Sequence, residues 1–524
     1  FFWPTLYTYL LFFMYGAYYT LGLLFGKFNS LFEFQRLYFT DPQSFYLIGR
    51  LLNVFAGALT AVLFFFAAKK AYSRRVSALA ALFLATNFMH IRESRYARPD
   101  IMAGIFMAPA FMYLLSLKKR KDYFLAGLFT GLAASVKYQY ILVLFPALLA
   151  HFFPGGDPPG RSFKRNLLHP GPLLLLLGAF LSFFATSPLV VLNLKSTFQA
   201  VAGAAGQDVF MARYGFSSSF SFHLHYTFLQ GIGLPLILAA LFGVLQALAK
   251  PKKADIVFIG FGVLYYLAIT LGGSIYMRYA LPLLFPLLVF AAKFADTCIT
   301  AADRPGVPKP VKAAFTALLV GALLYLPVKK NFRYNSLLSR TDTRVTAASW
   351  IEENIPSGSR IGFLTTWPPF CPMIRENKES LVIADREIMT GYRHKFLLND
   401  PAYPGEPNYY LAQIYEKTPV MLWYRGVKSS VKTLKSDVKT EKLDYIVTME
   451  HYPTAVPDIS PELNELVHDS YTLYKEVLPF GGKTPPSPLF DEPNGFYPPC
   501  DRFEGVLKPG PAIRIWKTTG AHAG

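Results

Sequence analysis

Apolar positions run in long blocks up to about Pro327, broken only by short basic clusters; beyond Lys330 the chain turns polar and rich in Pro, Tyr, Lys and Glu. Lipid offers no partner to a backbone N–H or C=O, so a run of roughly 20 apolar residues reads as a helix that satisfies itself. Runs at 45–68, 76–90, 101–117, 123–136, 138–153, 170–192, 225–249, 255–272, 279–298 and 312–328 predict ten spanning helices. The opening run, 4–26, carries Tyr7, Tyr9, Tyr15, Tyr18 and Tyr19 beside Trp3. Those are interfacial side chains, and the run is expected to lie along the outer interface or re-enter it. Two stretches are too tight for plain spans. Residues 123–153 must cross twice with Lys137 between, and 76–117 is interrupted by the charged stretch Arg92 to Asp100. Interrupted helices at membrane depth need polar surroundings and point to a binding site.

The predicted fold is an α-helical polytopic membrane protein with a C-terminal extracytoplasmic α/β domain. The membrane module is assigned to 1–334 and the soluble domain to 335–524. Within the latter, 342–354 reads as a helix capped by Asp342, with Ala347, Ala348 and Ile351 on one face. Strands are expected at 360–364, 381–384, 444–448 and 512–516, helices near 408–416 and 461–468, and irregular chain over 479–511. The chain opens on Phe inside an apolar run, without a basic segment before it or a small-residue cleavage site. That is unlike a signal peptide, and a first helix and first loop are expected upstream.

Composition sharpens this picture. Hydrophobic residues make up 53% of the 524 and charged residues only 16%, against about 25% in soluble domains. The net charge of +19 would suggest nucleic acid in a soluble protein. Here it fits basic loops on one membrane face. With 45–68 running inward, the short inner loops hold 17 Lys and Arg and the outer ones 9. That bias places the C-terminal domain outside. No CxxC or Cys–His cluster suggests a structural zinc site. Cys371 and Cys500, both in the outer domain, are candidates for a disulfide.

Charges at membrane depth need a reason. Three clusters fall on the predicted outer side: Glu93, Arg95, Arg98 and Asp100; Lys137 with Tyr138; and Arg278 with Tyr279. Arg and Lys suit a phosphate, one as a fork and the other as a point charge. Asp100 and Glu93 could act as acid or base or hold a metal ion. Mutual pairing is the simpler account for Arg92. Asp208 joins the candidates from the loop 193–224 as a substrate contact. The pair His223 and His225 lacks a third ligand nearby and is expected to be solvated, on a strand or loop.

Four segments together resemble the GT-C superfamily of membrane glycosyltransferases, of the protein O-mannosyltransferase and lipid A aminoarabinose transferase type. Phe2-Trp3-Pro4-Thr5-Leu6-Tyr7 is similar to the family's Pro-Pro-Leu-Tyr-Tyr run, with Trp3 in place of one Pro. Ser94 to Asp100 resembles the segment with the second acidic residue. Val136-Lys137-Tyr138 resembles Thr-Lys-Tyr, and Arg278-Tyr279-Ala280-Leu281-Pro282 resembles Arg-Tyr-x-x-Pro. The resemblance covers about 1–335. It implies an enzyme that transfers a sugar, with inversion, from a polyprenyl-phosphate donor to a protein, lipid or glycan acceptor on the outer face. Beside it, the charges themselves are read as Lys137, Arg278, Arg95 and Arg98 for the donor phosphate, Asp100 and Glu93 for catalysis, and Tyr138, Tyr279 and Asp208 for substrate, while the family's own base is the Asp of its first loop. The family's metal requirement varies, so a divalent cation stays open and no other cofactor is implied. The family's first-loop Asp-Glu pair would lie upstream of Phe1. A transporter or lipid flippase, or an inactive scaffold of the same fold, remains the competing reading of the same charges.

Overall fold

The computed structural model describes residues 4–152, 168–203, 218–271, 276–364, 372–387, 392–414, 442–450, 461–481 and 498–519. It divides into two compact units, Phe1–Asn331 and Phe332–Gly524.

The first unit is helical. Among the described residues four helices are long and apolar enough to cross a membrane: Gln43–Ala68, Lys253–Leu271, Met277–Ala302 and the helix that starts at Lys309. A fifth span results if Ser219–Gly231 and Leu234–Ala249, bent by 115° at their junction, count as one. These helices make the chain an integral membrane protein. Three further apolar helices are shorter: Gly104–Leu114, Tyr138–Phe152 and Gly171–Thr186. The opening run folds as one helix, Leu6–Leu24.

The interruptions that the charge pattern predicts are real. The run 76–117 breaks into Arg74–Thr86, Phe88–Glu93 and Gly104–Leu114. The run 123–153 breaks at Lys137 between Arg120–Val136 and a 3-10 turn at Tyr138–Val143. Local chemistry sets these ends. Ser73 Oγ accepts from the Val76 N–H at 3.2 Å. Asn87 ends one helix and caps the next, accepting from the His90 N–H at 3.2 Å.

Helix contacts in lipid depend on close backbone approach. Arg120–Val136 and Gly171–Thr186 meet in this way. A Cβ on Gly127 would sit 1.9 Å from the Leu175 carbonyl oxygen, and one on Gly131 2.2 Å from that of Ala179. Only glycine fits at either place.

The second unit holds a five-stranded mixed sheet. Its strands are β1 (Arg360–Leu364), β2 (Tyr410–Ile414), β3 (Tyr445–Glu450), β4 (Tyr471–Val477) and β5 (Ala512–Thr518), in the order β2-β1-β3-β5-β4. β1 runs parallel to β2 and β3, while β5 is antiparallel to β3 and β4. Tyr445, Val447 and Met449 point to one face and pack with Ala347 and Ile351 of helix Thr343–Asn354. Ile446 packs with Trp516 and Val467 on the other face. The period-two alternation of a buried strand is thus filled on both sides.

Three local expectations are corrected. The run 381–384 is not a strand but part of helix Lys378–Glu387. Its start is fixed by Asn377, whose Oδ1 accepts from the Ser380 N–H at 2.9 Å. The stretch near 408–416 is not a helix but β2, because β1 offers it a parallel ladder from Arg360 to Leu364. Strand β4 was not foreseen: its middle is exposed and polar, so its pattern lacks clean alternation. The proposed partner of Cys500, Cys371, lies outside the described residues.

Candidate active site

The site begins with backbone that is not helical. Phe88–Glu93 delivers two charges and stops; the chain then turns through Ser94–Ala103 before the next helix starts at Gly104. Asp100 sits in this turn. Lys137 follows the last residue of helix Arg120–Val136 in extended conformation. Arg278 lies in the 3-10 turn Met277–Leu283 that opens helix Leu284–Ala302. The two cation-bearing segments are built alike. Each places a basic residue before a tyrosine, continues as a 3-10 turn, and enters an α-helix through Leu-Phe-Pro, at 144–146 and 284–286.

These segments converge. The Lys137 ammonium donates to Oδ1 of Asp100, 37 residues away in sequence. Arg278 Nε lies 3.9 Å from the other carboxylate oxygen. Asp100 is 6% exposed at its side chain, and Lys137 and Arg278 are 16% and 17% exposed. The carboxylate is therefore enclosed while both cations keep a face open. One carboxylate thus meets two cations from distant segments.

Aromatic rings complete the setting. Lys137 Nζ stands 3.7 Å from the centre of the Tyr279 ring. Arg278 stacks on Tyr276 at 4.0 Å and approaches Tyr279 at 5.3 Å. Ring faces attract cations without neutralising them. Three residues that the sequence did not single out hold the frame. Tyr140 donates to the Asp100 carbonyl at 3.2 Å, and Tyr265 donates to the Tyr279 carbonyl at 3.0 Å. Gln139 donates to the Tyr265 hydroxyl. Tyr140 and Tyr265 lie inside apolar runs, where a tyrosine resembles ordinary core.

The remaining candidates sit differently. Glu93 is fully buried and pairs with the equally buried Arg92 at 3.0 Å. Arg98 rests over the Tyr96 ring at 4.9 Å. Arg95 and Tyr138 are half-buried, and Tyr138 lies beside Phe183 at 6.4 Å. Asp208 lies outside the described residues. His223 and His225 do not form a solvated pair. His223 is buried in the π-helical turn His223–Thr227 and bonds the Thr227 hydroxyl at 2.9 Å, whereas His225 is exposed and meets the Ser221 carbonyl. A helical turn separates their directions, which a strand or loop would not. Among the described residues no three His, Cys, Asp or Glu side chains gather as metal ligands.

Similarity to known proteins can be set beside this geometry. No curated relative matches the chain. In solved structures the chain is similar to ArnT from Cupriavidus metallidurans bound to undecaprenyl phosphate, at 12% identity and TM-score 0.43, over 91% of this chain and 85% of that one. It is also similar to the oligosaccharyltransferase AglB from Archaeoglobus fulgidus with an inhibitory peptide and a dolichol-phosphate, at 13% identity and TM-score 0.43. That match covers 86% of this chain but spans only 61% of the oligosaccharyltransferase. A third similarity, to the Archaeoglobus fulgidus oligosaccharyltransferase in complex with Zn and sulfate, has 11% identity and TM-score 0.46 over 99% of this chain and 80% of that one. Over residues 9–153, which include both Asp100 and Lys137, the chain matches the family model of dolichyl-phosphate-mannose-protein mannosyltransferase, a membrane glycosyltransferase of the kind its motifs resemble.

Proposed function

We propose that this chain transfers a sugar from a polyprenyl-phosphate-linked donor to a protein, lipid or glycan acceptor at the outer membrane boundary. The observation that carries this reading is the meeting of Lys137 and Arg278 on Asp100. A lipid phosphate matches the place where these two cations from distant segments already meet an anionic group.

In this reading Lys137 and Arg278 hold the donor phosphate. The bond between the sugar's anomeric carbon and the phosphate oxygen breaks, and its electron pair stays on the phosphate. Negative charge therefore grows where the two cations already stand, so they bind the transition state more tightly than the ground state. The acceptor forms the new bond to the anomeric carbon from the opposite face, which inverts it. The acceptor's proton passes to a carboxylate, the role assigned to Asp100. When the phosphate takes over the two cations, Asp100 is released from them to face the acceptor. Arg98 and Arg95 extend the positive margin, and Tyr138 and Tyr279 line the sugar. Glu93 is kept as a counter-charge through its pair with Arg92. The unit after Asn331 lies on the same outer side in this reading, as the loop charges suggest.

The test is transfer of radiolabelled sugar from a lipid-phosphate donor by the intact protein in reconstituted membranes. Arg278→Ala is expected to lower transfer by about 10²–10³-fold, the usual loss for one such contact, at equal expression. Near-normal transfer by this variant would remove Arg278 from the phosphate site and with it the reading.

A further inference from the structure

The turn Ser94–Ala103 has little regular structure of its own, yet it must hold Asp100 to within fractions of an ångström. What holds it is one face of helix Gln43–Ala68. Asn53 is fully buried in the middle of that helix. Its side-chain amide uses both N–H donors on the turn, one to the Tyr96 carbonyl and one to the Arg98 carbonyl at 2.6 Å. These two carbonyls precede Asp100 by four and two residues.

The neighbours of Asn53 along the helix serve the same contact. Positions 49, 53, 57 and 60 follow one another at four- and three-residue steps, so they share a face. A Cβ on Gly49 would sit 2.9 Å from the Ala97 Cβ, and one on Gly57 2.3 Å from the Ser94 hydroxyl. Thr60 meets Gly104 just past the turn, where a Cβ would lie 2.8 Å from its side chain. The helix thus presents two small residues with an amide between them, and the turn lies against all three.

We infer that Asn53 is a positioning residue for sugar transfer: it fixes the turn that carries Asp100 and never touches substrate itself. The inference rests on the sugar-transfer reading for its functional half. A polar amide in a buried apolar span costs free energy unless it finds hydrogen-bond partners. Here both donors are spent on one loop rather than on another helix, which ties their purpose to that loop. The cations are mounted elsewhere, on the segments that begin at Lys137 and Met277, and do not depend on Asn53.

The experiment compares wild type with Asn53→Asp, which keeps the volume and replaces the two N–H donors by at most one O–H. Two measurements are made on the intact protein: hydrogen exchange of amides 94–103, and steady-state transfer from a lipid-phosphate sugar donor. We expect faster exchange in 94–103 with unchanged protection in 120–136. We expect kcat to fall by about 10–100-fold, since small misplacements of catalytic groups cost up to 10²-fold, while the donor KM stays within about threefold. A merely structural asparagine would instead lower the yield of folded protein and leave kcat per folded molecule intact. If Asn53→Asp does not fold, Gly49→Ala perturbs the same turn from Ala97 and is expected to show the same split. Unchanged exchange in 94–103, or loosened exchange with full kcat, would overturn the inference. Wild-type protein that transfers no sugar, with exchange responding as expected, would instead refute the reading of function and leave the mechanical role of Asn53 standing.

Discussion

Two buried aspartates, Asp100 and Asp255, each meet a lysine from a distant segment, and they are built in opposite ways. Asp255 lies in the first turn of helix Lys253–Leu271 with no exposure. Its carboxylate accepts from the Tyr72 hydroxyl at 2.8 Å, from Lys293 at 2.7 Å and from the Lys252 N–H at 3.0 Å. Lys293 sits within helix Leu284–Ala302, fifteen residues after Arg278, or roughly 22 Å along a helix axis. Lys293 comes from a regular helix, while Tyr72 and Lys252 come from the short links before helices Arg74–Thr86 and Lys253–Leu271. Asp100 is supplied by a turn and by two helix breaks, and two cations share it. The same charge chemistry acts as a bolt when one cation and two neutral donors fill the carboxylate, and as a site when two cations from helix breaks share it.

The comparison can be broken by experiment. The largest effect is expected at the bolt. Asp255→Ala leaves the half-buried Lys293 without its counter-ion and the Tyr72 hydroxyl without its acceptor, and such losses cost about 1–3 kcal/mol. Thermal unfolding in detergent should drop sharply, with transfer lost only in proportion to folded protein. Full stability in that variant would mean that the two aspartates do not differ as described. Next comes the site. Lys137→Arg should lower transfer by about 10²-fold with little change in unfolding temperature, because a planar fork does not replace a point charge against a ring 3.7 Å away. A stability loss as large as the activity loss would put Lys137 in the class of Lys293.

Smaller effects belong to the second unit, which carries neither arrangement. Removing the cap of helix Thr343–Asn354 by Asp342→Ala takes away the bond that the Arg344 N–H donates at 2.9 Å. About 1 kcal/mol should be lost in chemical denaturation, with transfer unaffected. The smallest expected change is at Glu376. Burial raises its carboxyl above the ordinary value of 4.5. A raised carboxyl favours the folded state below the unfolded pKa and loses that advantage as pH rises through the folded one. Glu376→Gln should therefore be more stable than wild type at neutral pH, and the difference should vanish on acidification. A difference that grows on acidification would reverse the sign assigned to this group. For the placement of this unit, a cysteine introduced near Ser357 should react with an impermeant thiol reagent from outside, and one near Ser73 should not.

Much of the site was legible because membrane chemistry penalises charge. Asp100, Lys137 and Arg278 stood out in a sequence where a carboxylate or ammonium beside lipid demands a partner. The breaks in helices at Lys137 and around Arg92 were legible for the same reason. Asn53, Tyr140 and Tyr265 were not, since a lone amide or phenol in an apolar run carries no sign of what it will face. Asp255 and Lys293 escaped because each lies next to a basic loop or near a helix end, where charges are ordinary. In the sheet unit the errors were about partners. Residues 410–414 become a strand because β1 lies alongside, and no pattern within those residues records that neighbour.

The likeness of the two cation-bearing segments has a consequence for how such a protein can change. Lys137 and Arg278 are set on the threshold of helices, and each threshold ends in the same Leu-Phe-Pro entry. The carboxylate hangs on a loop tied down at a few points by one helix face. In the proposed transfer, substitutions in the loop would reshape what approaches the sugar while the cation-bearing segments stay as they are. The two halves of the proposed reaction would then rest on different parts of the chain, and selection on one would leave the other in place.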